Sequence, residues 1–287
     1  MSKILVTGAL GNVGGYAAEQ LIKNQEAVVC GDIDPSALKQ RYQDKADCVY
    51  FDFTAPATFS EALKGVDRVF IMRPPHLGKP QDLQPFIDFL KSSGQIRLTV
   101  FLSLLGVEKN PIPPHHKIEK FIEAAGLPYC HIRPSFFMQN LSGVHAFEIK
   151  HFDRILVPVK NAVTSFIDAQ DIGELIATVL SNPTAHQNTA YSVTGPAAIN
   201  YQEAARIMTE ELGRPIAYAD PSPTFAKKYW QQVRGLDKSY VTVMSMLYLM
   251  TRMGGAKQVT RGFYQVMGRE PRTFREFVKN NRAAWQL

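Results

Sequence analysis

The chain has 287 residues, 45% of them hydrophobic and 20% charged, enough for one large globular domain or a large domain with a smaller lobe. Its net charge of +6 is uneven: residues 227–287 carry 12 Lys/Arg against 3 Asp/Glu, a balance of +9, and the first 226 residues sum to −3. The basic residues are scattered, with no interleaved aromatics and no nucleic-acid motif, so no nucleic-acid partner is expected. The longest apolar run, Tyr240 to Met250, is too short to span a bilayer, so no membrane partner is expected either. Cys30, Cys48 and Cys130 are widely spaced without a C-x-x-C pair, which excludes a disulfide framework and a zinc site. The first strand begins at once, with no signal peptide, and a reducing cytoplasmic setting is expected.

The first strand, Lys3–Thr7, runs straight into Gly8-Ala9-Leu10-Gly11-Asn12-Val13-Gly14 and then a helical segment, Tyr16–Lys23. Strand, glycine turn and helix form the context in which a glycine pattern binds a dinucleotide. Gly8 serves the tight turn. Gly11 lets the backbone approach a pyrophosphate, and Gly14 lets the helix pack on the strand. Free N–H groups at the helix start then hold the phosphates. Thr7, Gly8, Leu10, Gly11, Asn12, Val13 and Gly14 are therefore candidate cofactor-binding residues.

Further strands are expected at Ala27–Gly31, Cys48–Phe51, Arg68–Met72, Thr99–Ser103 and Tyr129–Ile132. Helices are expected at Ala57–Leu63, Leu83–Ser92 and His116–Ala125, closed by Gly65, Gly94 and Gly126. This alternation reads as α/β, a Rossmann-type doubly wound parallel sheet covered by helices. The second half reads as a helix at Ile167–Leu180, a strand at Ala190–Thr194, a helix at Tyr201–Leu212 and a strand at Ile216–Ala219. From Thr224 onward the pattern is mostly helical. The expected division is a dinucleotide-binding domain over 1–151 and a smaller, mostly helical substrate lobe over 152–287, some of whose segments return to the sheet.

Chemistry-bearing residues fall at the strand ends. Asp32, 18 residues after Gly14, suits the hydroxyls of an adenosine ribose and repels a 2′-phosphate. It favours NAD(H) over NADP(H). Asp52 and Phe53 suit an adenine pocket, and Arg73-Pro74 ends the fourth strand where the loop passes near the cofactor. Arg73 suits a phosphate or an anionic substrate. Ser103 ends the fifth strand as a candidate to polarise a substrate. Lys117 lies in the first turn of the next helix, where it suits ribose hydroxyls or proton transfer. His115 and His116 point different ways on a helix with no acidic partner spaced for ligation, so no metal is expected. Phe136, Phe137, Met138 and Asn140, after the sixth strand, suit a flat apolar substrate.

Five blocks act together: Thr7-Gly8-x-x-Gly11-x-x-Gly14, Gly126-Leu127-Pro128-Tyr129 through Arg133-Pro134, Phe166-Ile167-Asp168-x-x-Asp171-Ile172-Gly173, Tyr191 through Pro196, and Gly268 through Phe274. In combination, over nearly the whole chain, they resemble the NmrA-like family of atypical short-chain dehydrogenases/reductases. Triphenylmethane reductase and NAD(P)H:quinone oxidoreductase-like proteins are members of that family. The resemblance implies a nicotinamide nucleotide and a small-molecule substrate. The expected activity is hydride transfer to a conjugated acceptor such as a quinone, dye or enone, with Lys117 and Ser103 as catalytic candidates. Two departures stand out. Asp32 occupies the place where many relatives carry an Arg and take NADP(H). Pro113 stands four residues before Lys117, where typical short-chain dehydrogenases have Tyr, which argues against a sugar-nucleotide epimerase. Lys117 matches the lone helix Lys of isoflavone-reductase-like relatives. The alternative is a redox-sensing regulator that binds the nucleotide without turnover and acts on a protein partner.

Overall fold

The computed structural model describes residues 2–286. The chain forms two compact units: residues 1–134, 169–193 and 262–269 make the first, and 135–168, 194–261 and 270–287 the second. The units therefore interleave along the chain, with residues 169–193 and 262–269 belonging to the first unit.

In the first unit, seven strands form one sheet: β1 (Lys3–Thr7), β2 (Ala27–Asp32), β3 (Asp47–Tyr50), β4 (Val66–Met72), β5 (Leu98–Leu102), β6 (Tyr129–Pro134) and β7 (Thr189–Val193). Their spatial order is β3-β2-β1-β4-β5-β6-β7, and every neighbouring pair is parallel. A parallel sheet covered on both faces needs continuous apolar runs rather than alternation. Ile4-Leu5-Val6 and Val69-Phe70-Ile71 are such runs, all fully buried. The strand order reverses between β1 and β4, the switch point beyond whose carboxyl edge ligands sit in open α/β sheets.

The helices of this unit include α1 (Asn12–Lys23), α2 (Pro35–Tyr42), α3 (Gln84–Ser93), α4 (Pro114–Ala124) and α5 (Ala169–Ser181). The sequence places the first helix at Tyr16, but it begins four residues earlier. Tandem Gly14-Gly15 is poor helix sequence, and tertiary packing overrides that weakness. The packing is with α5: a Cβ on Gly173 would lie 2.5 Å from Tyr16 Cβ and 2.8 Å from Ala17 N. On one side of the sheet a core gathers Phe51, Phe53, Phe59 and Phe86. Phe51 and Phe86 meet edge-on at 4.9 Å, and Phe59 meets Phe86 at 5.0 Å.

The second unit has a separate core around Trp230, Trp285, Tyr201, Tyr248 and Phe277. Two short strand pairs frame it, Val163–Thr164 with Ile199–Asn200 and Arg154–Leu156 with Ala217–Ala219. Its longer helices are α6 (Tyr201–Leu212) and α7 (Lys238–Arg252). Asn200 caps α6 by accepting from Glu203 N, and Asp237 caps α7 by accepting from Ser239 N and Tyr240 N. No helix of the described residues is long and apolar enough to cross a membrane.

Two buried histidines, His131 and His145, and the half-buried His115 set a pH dependence. Burial pushes His115 and His131 down to about 4, with the Arg73 charge adding to the effect on His115. Burial and Arg234 push His145 down to about 3. In the unfolded chain these rings take up protons near pH 6.5, so between pH 6.5 and 4 the unfolded state binds more protons. Stability is full above pH 6.5 and falls as the pH drops toward 4. A depression from 6.5 to about 4 corresponds to about 3 kcal/mol for one ring. The melting temperature is expected to fall steeply between pH 7 and pH 4.5 and to fall less in His131→Phe. A flat melting profile over that range contradicts the neutral, buried state of these rings.

Candidate functional site

The glycine turn is built by close backbone approach. Gly8 has φ +65°, in the left-handed region that favours glycine. Its carbonyl accepts from Gly11 N at 2.9 Å. That same carbonyl lies where a Gly14 side chain would go: a Cβ on Gly14 would sit 2.3 Å from Gly8 O and 3.1 Å from Thr7 O. Gly14 thus packs the helix against the end of β1. Gly11 is the N-cap of α1 and is exposed, as is Asn12. No side chain caps the helix there. The N–H groups of Asn12, Val13 and Gly14 have no carbonyl four residues back within the helix. With the positive end of the helix dipole behind them, they suit a pyrophosphate.

The neighbouring strand ends brace this turn. Thr7 is buried; its hydroxyl donates to Phe70 O at 2.9 Å and accepts from Met72 N at 3.3 Å, tying β1 to β4. Asp32 reaches back from the end of β2, accepting from Leu10 N at 3.1 Å and from Ile33 N at 2.8 Å. Each carboxylate oxygen thereby accepts one bond and keeps acceptor capacity. Gly15 and Arg41 are coupled in the fold. A Cβ on Gly15 would meet the Arg41 guanidinium at 2.4 Å. Arg41 also donates to Leu10 O at 3.3 Å and pairs with Glu19 at 2.8 Å. The Tyr42 hydroxyl donates to Ala9 O at 2.6 Å.

Asp52 lies in a local turn, where Oδ1 accepts from Thr54 N and Thr54 Oγ1, both at 2.8 Å. Phe53 is 4% exposed and packs edge-on to Phe51 at 4.9 Å, inside the phenylalanine core. Arg73 and Pro74 follow β4, and Ser103 follows β5. These two ends are neighbours in register, since Met72 pairs with Leu102. Ser103 is 4% exposed, and its Oγ has no hydrogen-bond partner. Lys117 lies in the first turn of α4 on the exposed side of the helix.

An ion network missed in the sequence runs between α4 and β6. Arg133 donates from Nε and Nη2 to the two oxygens of Glu119 at 2.9 and 2.7 Å. Burial alone would raise the Glu119 carboxyl. The bonds from Arg133, the neighbouring His131 and Ser103, and the Arg133 charge together outweigh it and hold the group below its usual range. Glu119, Glu123 and His131 bring possible ligand atoms within 4.8 Å of one another. Arg133 and Lys120 already hold those two carboxylates. The i,i+4 pair Glu119/Glu123 on a predicted helix was the one available signal.

In the second unit, Phe136 and Asn140 line a small apolar cleft of about 80 Å³ with Val144, Tyr240, Met244 and Tyr248. Met138 lines a different cavity of about 280 Å³, with Phe166, Ile207 and Phe274. Phe137 forms a backbone bridge with Ile167. The four residues grouped in sequence thus divide among three surroundings.

The profile of the NmrA-like family matches residues 1–277. The chain belongs to the NmrA-like family. Within it, the chain is 30% identical to Prestalk A differentiation protein A of Dictyostelium discoideum, over 96% of this chain and 91% of that protein. It is 27% identical to the NAD(P)H azoreductase of Xenophilus azovorans, over 98% and 99%. In fold it is similar to the NADPH-dependent quinone oxidoreductase of Escherichia coli solved with NADPH. That match has TM-score 0.86 at 20% identity and covers 98% of this chain and 99% of the other.

The geometry of the turn separates two glycines. Gly11→Val is expected to weaken dinucleotide binding at least about 100-fold while the protein still melts cooperatively, because the side chain fills phosphate space. Gly14→Val is expected to lower the melting temperature itself, since its Cβ meets backbone. Calorimetry and thermal melting distinguish the two; unchanged affinity in Gly11→Val removes the turn from the binding site.

Proposed function

We propose that this NmrA-like protein is an NAD(P)H-dependent reductase that passes hydride to a small conjugated acceptor such as a quinone, an azo dye or an enone. The observation that carries the reading is the open first turn of α1 behind an all-parallel sheet, in a chain whose relatives include an azoreductase. A bound nicotinamide supplies the hydride, and the chain supplies binding, orientation and exclusion of water. The turn from Gly8 to Gly14 holds the pyrophosphate and Asp32 accepts from the adenosine ribose. Asp52, Phe53 and Pro74 are the remaining cofactor candidates, Phe53 as part of the wall behind the adenine.

Reduction of such acceptors also needs a proton or a hydrogen-bond donor at the atom that becomes negative. Ser103 suits that role, because its hydroxyl is buried at the carboxyl edge of β5 and makes no well-aligned bond, with the Glu119 carboxylate close by. Lys117 suits a different role. A general-acid lysine is usually desolvated, and Lys117 is exposed. Its three donors fit ribose hydroxyls instead. Phe136 and Asn140 offer an apolar wall with one amide for a flat acceptor; Phe137 and Met138, in other surroundings, are the weaker substrate candidates.

NADH is the favoured cofactor. The Asp32 carboxylate repels a 2′-phosphate, and Arg41, which donates to Leu10 O on the same turn, already shares its charge with Glu19. Asp32→Ala is expected to narrow the gap between NADH and NADPH by about one to two decades in affinity, the worth of one charge-assisted hydrogen bond. A wild type that binds NADPH more tightly contradicts this assignment.

Steady-state kinetics separate the roles. Lys117→Met is expected to raise KM for the dinucleotide about tenfold with kcat within roughly threefold. Ser103→Ala is expected to lower kcat by about 100-fold. Tight NADH binding with no turnover across quinones, azo dyes and enones overturns the reductase reading in favour of a nucleotide sensor.

A further inference from the structure

Arg73 differs from the other arginines of residues 2–134. Arg41 meets Glu19 at 2.8 Å, Arg68 meets Asp67 at 3.1 Å, Arg97 meets Asp67 at 3.3 Å and Arg133 meets Glu119 at 2.7 Å. Arg73 has no carboxylate partner among the described residues, and burial alone pushes its guanidinium down. Nη1 is fully engaged, donating to Pro74 O at 3.2 Å and to Leu77 O at 2.5 Å. Those two bonds fix the plane of the guanidinium. Nε is buried and has no partner. The Nε–Nη2 edge is the one that meets an anion side-on with two parallel bonds, and Arg133 grips Glu119 with that same edge. In Arg73 the edge is held in place and unused.

The surroundings extend the pattern. His115, at the start of α4, is close enough to Arg73 to feel its charge, and its Nδ1 is also buried without a partner. The ring is neutral at neutral pH, so it adds no second charge. Ser103 follows Leu102 as Arg73 follows Met72, at the ends of paired strands. These three polar groups lie at the carboxyl edge of β4 and β5. The glycine turn is instead met by Met72: a Cβ on Gly8 would lie 2.9 Å from Met72 Cγ. The guanidinium is tied to the 74–77 loop.

We propose that Arg73, with His115 beside it, is an anion-recognition site for the acceptor, so that this reductase prefers conjugated acceptors bearing a sulfonate, carboxylate or phosphate group. This rests on the reductase reading for the word acceptor, but the site is tested by binding alone. The probes are 4-dimethylaminoazobenzene-4′-sulfonate and its neutral 4′-sulfonamide, which share shape and chromophore. Each is titrated into the full-length protein saturated with oxidised dinucleotide, where no turnover occurs.

The sulfonate is expected to bind about tenfold or more tightly than the sulfonamide, the scale of a charge-assisted bidentate contact. In Arg73→Met the ratio of the two dissociation constants is expected to fall to about one, and Arg73→Lys to keep part of it, because a point charge replaces the fork. A wild-type ratio near one, a ratio that survives in Arg73→Met, or no binding of either dye overturns the proposal. So does a loss of dinucleotide affinity in Arg73→Met with the dye ratio unmoved, which assigns Arg73 to the cofactor phosphates. The Arg73→Lys variant supplies the comparison if Arg73→Met does not fold. Sulfonate selectivity without reduction of any acceptor by NADH or NADPH leaves the anion site standing and removes the reductase reading.

Discussion

The backbone contact between Gly8 O and the α-carbon of Gly14 is the constraint on which the nucleotide-binding half of this protein depends. A Cβ at residue 14 would lie 2.3 Å from that oxygen. Without a side chain there, the first turn of α1 can close onto the end of β1. Two consequences follow from that one approach. The helix axis is aimed at the carboxyl edge of the sheet, so its unpaired N–H groups face the place where the strand order reverses. The tight entry also lets Asp32 bind Leu10 N, which locks the outer limb of the turn to β2. Asp32 therefore shapes the loop.

Around that turn, polar groups fall into two kinds. Some are saturated and structural, such as Thr7 between β1 and β4, Arg133 on Glu119, and Arg68 on Leu180 O at the end of α5. Others are buried and left with capacity, such as Ser103 Oγ, Arg73 Nε and His115 Nδ1. Buried polar atoms in folded proteins are overwhelmingly paired, so those that are not carry information about what binds. All three lie at the carboxyl ends of β4 and β5 or at the start of the helix that follows. Their placement gathers unpaired polar capacity at one edge of the first unit.

The sheet was legible because fully buried parallel strands leave an unambiguous trace: uninterrupted apolar runs such as Ile4-Leu5-Val6, each followed by a breaker and a helix. The glycine turn was legible for the same local reason. What the sequence concealed depends on contacts between distant segments. Gly15 reads as a helix flaw until the Arg41 guanidinium is found in the space it leaves. Gly173 reads as a weak point in a helix until it is seen against Tyr16 and Ala17 on α1. Phe53 had a plausible partner in an adenine ring, but its position after β3 carries it into a cluster with Phe51 and Phe86. The run Phe136 to Asn140 reads as one surface, and a backbone bridge to Ile167 turns its members to different sides. Side-chain direction in an irregular segment is set by the backbone it meets, and that partner lies far along the chain.

The central claim is that this chain transfers a hydride, and isotope tracing tests it most directly. The protein is supplied with NADH carrying deuterium at one face of C4 and an enone acceptor, and the product is examined by mass spectrometry. The account predicts one deuterium in the reduced product from one of the two stereochemically labelled cofactors and none from the other. Unlabelled product from both, or no product while NADH remains bound, would contradict it.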